Sequence, residues 1–322
     1  MKDYVSYCRF SGVWLKIAVI IALALAAAVQ SRSQSATIQG LLAVFDEFDV
    51  VALSEGGHQN DIASDFRVEL IHHPEFANVV DDIVVEFANS RYQDILDRYM
   101  EGGDVPLGEL RKVWRDTTQY KVWDSPVYAE FFEAVRTVNQ NLTEERRIRV
   151  LAGDPPIDWS KIRTVEDWAP WVSTRDDHFA LVVEREVLSR DRKALLIAGG
   201  AHFDKKNQGG VAALLNTSHP GSLFVVTTVK GPGSRCGPGD RSDEWSFSRL
   251  SGKTDGGPAE ADGCLYLGSE VGDKVDPDPT IYDRTAYGRE MERRRTIFQA
   301  AMEMSKEDRA RLRERARRSQ KR

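Results

Sequence analysis

From Ala36 onward the chain alternates two hydrophobic rhythms. Short, nearly unbroken apolar runs recur at Asp49–Ser54 (DVVALS), Asp82–Phe87 (DIVVEF), Arg147–Ala152 (RIRVLA), Lys193–Ala198 (KALLIA) and Leu223–Val229 (LFVVTTV). Between them, apolar residues return every three or four positions, as at Ile38, Leu41, Leu42, Val44 and Phe45. The first rhythm predicts strands buried on both faces and the second predicts amphipathic helices, here over 60–71, 91–100, 107–115, 127–141, 174–189 and from Val211 to Leu215. Stop and start signals agree: Pro74 after His72 and His73, Gly102–Gly103 after Met100, and Asp176 and Asp177 in a first turn, where the helix dipole favours acids. Strand alternating with helix predicts an α/β fold with a mostly parallel central sheet flanked by helices.

The rhythm breaks after Gly231. Residues 232–283 are rich in Gly, Pro and Asp and predict a loop-rich C-terminal excursion with a small hairpin around Leu265–Leu267. Thr285–Arg318 reads as a long charged C-terminal helix with a break near Met304–Ser305. The chain thus divides into a leader (1–30), an α/β core (36–231), the insertion (232–283) and a basic helical tail (284–322).

The leader carries Lys2, Arg9 and Lys16 ahead of an apolar run from Ile17 to Val29, which ends in small residues and the polar stretch Gln30–Ser35. A helix over that run rises only about 20 Å, short of the roughly 30 Å hydrocarbon core of a bilayer. It reads as a secretory signal peptide, so the protein is expected to be exported, periplasmic or secreted. The alternative is an uncleaved membrane anchor over residues 13–29. Cys8 precedes the run and is misplaced for a lipoprotein cleavage site. That leaves Cys236 and Cys264, which can pair in an oxidising compartment.

Hydrophobic residues make up 41% of the 322-residue chain and charged residues 29%, which excludes disorder over most of its length. The formal net charge of −6 hides an asymmetry. The leader contributes +2, and the tail from Arg284 holds 14 basic against 6 acidic residues, so the body between them carries −16. An acidic body is unsuited to a nucleic-acid backbone, and no nucleic-acid partner is expected. The basic tail is either a solvated helix end or a surface drawn to acidic membranes.

In open parallel sheets, ligands bind beyond the carboxyl ends of the strands. The first expected strand ends in Ser54-Glu55-Gly56-Gly57-His58, the second carries Glu86 followed by Arg91, the third ends at Gly153-Asp154, and the fourth runs into Gly199-Gly200-Ala201-His202. The fifth ends in Lys230-Gly231, with no acid or imidazole. Unpaired charge at the end of a buried strand is costly, so four such ends point to a shared site. Acids beside imidazoles either hold a divalent metal or orient a histidine that activates water. Each has a plainer reading: Glu55 as a helix cap, Glu86 as the ion-pair partner of Arg91, Asp154 as a turn residue, His202 as a satisfied imidazole at a helix start. Asp204 is placed by sequence to orient the His202 ring. Arg91, Arg115 and Arg136 are candidates for holding an anionic substrate or cofactor group, with surface pairing as the alternative.

These motifs, Glu-x-x-His at Glu55 and His58, Glu86 on the second strand, and Gly-x-x-His at Gly199 and His202, resemble the superfamily of erythromycin esterases, haem-uptake lipoproteins of the ChaN type and Tiki-type proteases. The resemblance spans Val50 to Lys230, and Ser54 stands where family members usually have glycine. The esterase branch implies His58 as general base, Glu55 and Glu86 as its carboxylate partners and His202 as a further catalytic group. The Tiki branch implies that Glu55, His58, Glu86 and His202 bind a divalent metal. The ChaN branch implies haem binding without hydrolysis. The expected function is an exported hydrolase-like enzyme that activates water to cleave an ester, lactone or amide bond of a small-molecule or peptide substrate. Its cofactor is either none or a divalent metal ion; the alternative is a haem- or metal-binding protein of iron handling. Asp154 joins the candidate catalytic set on its strand-end position alone.

Overall fold

The computed structural model describes residues 32–234, 236, 244–250, 261–305, 307, 308, 311, 312, 314 and 315. The leader and most of the basic tail lie outside them. All five expected strands form: β1 (Val50–Ser54), β2 (Asp82–Asn89), β3 (Arg149–Asp154), β4 (Ala194–Ala198) and β5 (Leu223–Val229). Two more, β6 (Ser246–Arg249) and β7 (Gly263–Tyr266), complete a seven-stranded sheet in the order β3-β2-β4-β1-β5-β7-β6. Every pairing is parallel except that of β6 with β7. The small hairpin expected around Leu265–Leu267 is the antiparallel β6–β7 pair, and it extends the main sheet, because β7 also pairs with β5 from Val226↔Gly263 to Val229↔Tyr266. The Cys236–Cys264 disulfide, with Cα atoms 5.4 Å apart, ties the preceding loop to β7.

The central strands are buried on both faces, as near-continuous apolar runs require. One face packs against the helix over 32–42, the helix Asp61–His72 and the helix Pro126–Asn139, around Phe45, Phe66, Phe87 and Phe132. The opposite face packs against the helices Arg175–Glu186 and Val211–Ser218, around Phe179, Val183 and Leu215. A third cluster joins Ile157, Trp159, Ile162 and Val165 to Ile297 and Ala301 of the C-terminal helix Ala286–Glu303. That helix starts at an N-cap, Thr285, whose side chain accepts from the Gly288 N–H, and it ends at Met304, where the break was expected. The helix expected over 174–189 forms as Arg175–Glu186, and a separate helix, Val165–Ser173, precedes it, starting at a Thr164–Asp167 capping box.

The strand order decides where chemistry can gather. In space β3, β2, β4 and β1 are consecutive, so the four ends that carry acids or imidazoles stand side by side. The end of β5, which carries neither, lies beyond β1.

Candidate active site

The chain leaves β1 through a tight loop. Gly56, Gly57 and Gln59 all have positive φ (74°, 112° and 64°), and a Cβ at Gly56 would come within 2.8 Å of the Thr228 methyl. Glycine is needed there, and the resulting turn folds His58 back over Glu55. His58 Nδ1 lies 2.7 Å from Glu55 Oε2. A carboxylate only accepts, so Nδ1 carries the proton and Nε2 keeps its lone pair. The Glu55 carboxylate is buried, and its other oxygen accepts from the Tyr128 hydroxyl at 2.7 Å. Tyr128 in turn accepts from the Gln59 N–H at 3.1 Å, and Arg67 donates to the Glu55 carbonyl at 2.8 Å. The Trp123 ring packs edge-on against His58, with centroids 4.9 Å apart. The imidazole is thus held at its Nδ1 edge while 44% of the side chain remains exposed.

Glu86 lies where β2 bulges: the register with β3 shifts between Val85 and Asn89. Such irregularities re-aim side chains. Its Oε1 accepts from Arg175 at 2.8 Å and from His202 Nε2 at 3.3 Å, and its Oε2 from the Gly199 N–H at 2.6 Å. Gly199 forms the floor between the two groups. A Cβ there would stand 3.3 Å from His58 Cε1 and 3.4 Å from Glu86 Oε2. Ser54, in place of the usual glycine, fits because Gly200 opposite it has no side chain: a Cβ on Gly200 would meet Ser54 Oγ at 3.2 Å.

His202 Nδ1 is bonded to Asp176, in the first turn of the helix Arg175–Glu186, and not to Asp204, the partner expected from sequence. The pairing is set by docking that helix against the sheet, which proximity in sequence does not report. Asp154 is fully buried at the end of β3 and bonds Thr118 through both oxygens at 2.6 Å and Arg175 Nε at 3.0 Å. It therefore supports the site from beneath and does not face a substrate. Arg175 bridges Asp154 and Glu86. Sequence reasoning missed it, together with Tyr128 and Asp176. Glu86 pairs with Arg175 and not with Arg91, as its plainer reading had it. Arg91 pairs with Asp158 at 3.2 Å, and Arg115 lies 3.4 Å from Asp124 and over the Tyr287 ring, so neither joins the cluster. His178 bonds the Gly153 carbonyl and Ser90 and also stays outside it.

The electrostatics separate the two histidines. Burial alone would lower the pKa of His58, but the hydrogen bond and charge of Glu55, with the charge of Glu86, raise it above the usual histidine value. His202 is also desolvated, yet its bonds to Asp176 and Glu86 carry its pKa up to about 9, so it is an imidazolium at neutral pH. Burial would push the Glu86 carboxyl up; Arg175, then His202 and the Gly199 N–H, outweigh it and hold the carboxyl far below the ordinary carboxylate range. Burial pushes Asp154 up to about 6 against the pull of Arg175 and Thr118.

One ligand atom each from Glu55, His58 and Glu86 lie within 4.8 Å of one another, near enough for one cation to bridge. His202, expected in the metal set, does not join that group. The donors of the group are already engaged: Glu55 by Tyr128 and His58, Glu86 by a buried guanidinium, an imidazole and an amide. As arranged, they are bonded to protons and to Arg175, and a cation would draw on their remaining lone pairs and on His58 Nε2.

In front of His58 opens a groove of about 560 Å³, walled on one side by Tyr120, Lys121 and Val122 and on the other by Lys274, Asp276 and Tyr282. A second hollow of about 410 Å³ lies behind the same loop, between Gly56, Gly57, Gly200 and Thr228.

No protein-family model matches the chain, and no curated protein does. Among solved structures, a mutant of the erythromycin esterase EreC in its open conformation is similar at 12% identity, over 74% of this chain and 95% of that one, with a TM-score of 0.52. A protein from Bacillus cereus is similar at 10% identity over 74% and 92% of the two chains, with a TM-score of 0.48. Haem-bound ChaN of Campylobacter jejuni is similar at 15% identity over 71% and 89%, with a TM-score of 0.41. Identities this low speak to architecture alone. The chain is built on the fold of the erythromycin esterase EreC, the fold that its Glu-x-x-His and Gly-x-x-His motifs implied.

Proposed function

We propose that the protein is a hydrolase of ester, lactone or amide bonds in which His58 is the general base. One observation carries this: His58 Nδ1 is 2.7 Å from the buried Glu55 carboxylate, while the rest of the ring borders an open groove. Water bonded to Nε2 gives its proton to that nitrogen as its oxygen attacks the carbonyl carbon, and the carbonyl π electrons move onto oxygen. When the intermediate collapses, the bond to the leaving group breaks, and the proton held by His58 passes to it. Glu55 fixes the tautomer and stabilises the imidazolium that forms in between. The His202 imidazolium and Arg175 keep Glu86 ionised, and the Glu86 charge adds to that stabilisation.

The test is hydrolysis of a panel of 4-nitrophenyl esters, lactones and anilides by the full chain and by His58→Asn. Wild type cleaves at least one class and the variant loses about 10²–10⁴-fold; equal rates would exclude the base role. Dialysis against a chelator, with elemental analysis, leaves activity intact on this reading, whereas loss restored by one divalent ion would assign the site to a metal. A haem titration that produces a His58-dependent Soret shift, without any hydrolysis, would favour the haem-binding alternative.

Export remains part of the proposal. The Cys236–Cys264 bridge supports it, since disulfides persist in oxidising compartments. Among the described residues, no helix is long and apolar enough to cross a membrane. Contact of the basic tail with an acidic membrane surface belongs to the same proposal.

A further inference from the structure

We infer that the groove in front of His58 recognises a carboxylate and that Lys121 binds it, so the substrates are small carbonyl compounds carrying a second, anionic group. This deepens the hydrolase reading and rests on it for the word substrate; the anion site itself does not.

Lys121 has φ of 59°, a left-handed conformation that is costly for a residue with a side chain. Such strain persists only where the surroundings over-determine it, and here they do. Thr118 is bonded twice to the buried Asp154. Trp159 Nε1 donates to the Thr117 carbonyl at 2.9 Å and Trp168 Nε1 to the Thr118 carbonyl at 3.0 Å. On the far side of the lysine, Gln59 Nε2 donates to the Val122 carbonyl at 2.9 Å. The loop that carries Lys121 is therefore pinned on both sides, once by the residue next to His58.

The ammonium lies against two aromatic rings. It stands 3.9 Å from the centroid of the Tyr282 ring and 5.5 Å from that of Tyr120, and Tyr282 is itself fixed by a bond to Asp124. Aromatic faces attract a cation without using its N–H groups, so the donors stay available. Among the described residues no carboxylate pairs with Lys121. The other lysine of the groove, Lys274, is matched by Asp276 at 2.6 Å. Arg91 and Arg115, the residues expected from sequence to hold an anionic group, are committed to Asp158 and Asp124. What remains is one unmatched, oriented positive charge on the wall of the cavity that His58 also lines.

The test uses the purified full chain and two readouts. Binding of succinate and of choline is followed by tryptophan fluorescence, to which Trp123 beside His58 contributes. Wild type binds succinate in preference to choline, Lys121→Gln weakens succinate about tenfold, and Lys121→Arg retains it. No succinate binding by wild type, equal binding by the Lys121→Gln variant, or equal binding of choline overturns the inference. In the second readout, the kcat/KM ratio of 4-nitrophenyl hydrogen succinate to 4-nitrophenyl acetate falls about tenfold in Lys121→Gln, mainly through KM. If neither ester is cleaved while succinate binding still depends on Lys121, the hydrolase reading fails and the anion site stands.

Discussion

The two histidines at this site each hold a carboxylate on Nδ1 but differ in how the fold presents them. Glu55–His58 sits on a glycine-rich turn with the imidazole 44% exposed, whereas Asp176–His202 spans two elements with the imidazole only 14% exposed. His58 has one acid on one nitrogen; His202 has an acid on each. A ring with a free, solvent-facing nitrogen can take up and release protons. A ring bonded at both nitrogens to carboxylates is a fixed positive charge. On the proposed reading, the first pair carries turnover, and the second holds charge.

The largest effect expected from breaking that division is at Arg175, the cation beneath both. Arg175→Leu leaves Glu86 and Asp154 buried without their partner, and removing one member of a buried ion pair costs about 3–5 kcal/mol. Urea unfolding should show this loss; an unchanged midpoint would mean that the guanidinium is dispensable. Next, His58→Asn is expected to abolish most activity while shifting Tm little, and His202→Asn to lower stability by about 1.5–3 kcal/mol, the scale of hydrogen bonds to charged groups. Thermal melts and initial rates on the same two variants would undo the comparison if the pattern came out reversed.

Two pH profiles sharpen it further. The folded His202 titrates at about 9 and the unfolded one at about 6.5, so its stabilisation is complete below about 6.5 and is lost as pH rises through 9. Glu86 has the opposite sign: its pKa is depressed by folding, so its contribution is present above about 4.5 and is lost as pH falls further. Unfolding free energies measured across this range should show the alkaline loss in wild type and a flatter limb in His202→Asn. Activity follows His58 instead, rising with pH as the ring loses its proton, and Glu55→Gln should move that limb to lower pH. The smallest change is Tyr128→Phe, which removes one bond to Glu55 and costs about 1–3 kcal/mol, with the acidic limb of the rate profile as the more sensitive measure.

Much of this site was legible in the chain. Glu55, His58, Glu86 and His202 each close a buried-type apolar run, and the physical cost of charge at such places marks them without any structure. The five core strands were legible for the same reason. Arg175 was not, because an arginine at the start of a helix is ordinary when solvated, and only docking shows that it faces inward. The Asp176–His202 bond was hidden in the same way, and the nearer Asp204 was a false lead. The hairpin around Leu265–Leu267 was legible, but its joining of the main sheet was not, because pairing with β5 depends on contacts across a long Gly- and Pro-rich stretch, where no periodicity is available. Lys121 carries no sequence signal either, since its positive φ follows from bonds made by Asp154, Gln59 and two tryptophans.

The sheet order has a consequence for biosynthesis. Strand β4, the last of the four site-bearing strands to be made, inserts between β2 and β1. Until about residue 198 has left the ribosome, Glu55 and Glu86 belong to strands with no common neighbour, and His202, which follows β4, has not joined them. A nascent or truncated polypeptide therefore owns every early motif but not the assembled cluster, so on the proposed reading a chain interrupted during synthesis has no activity.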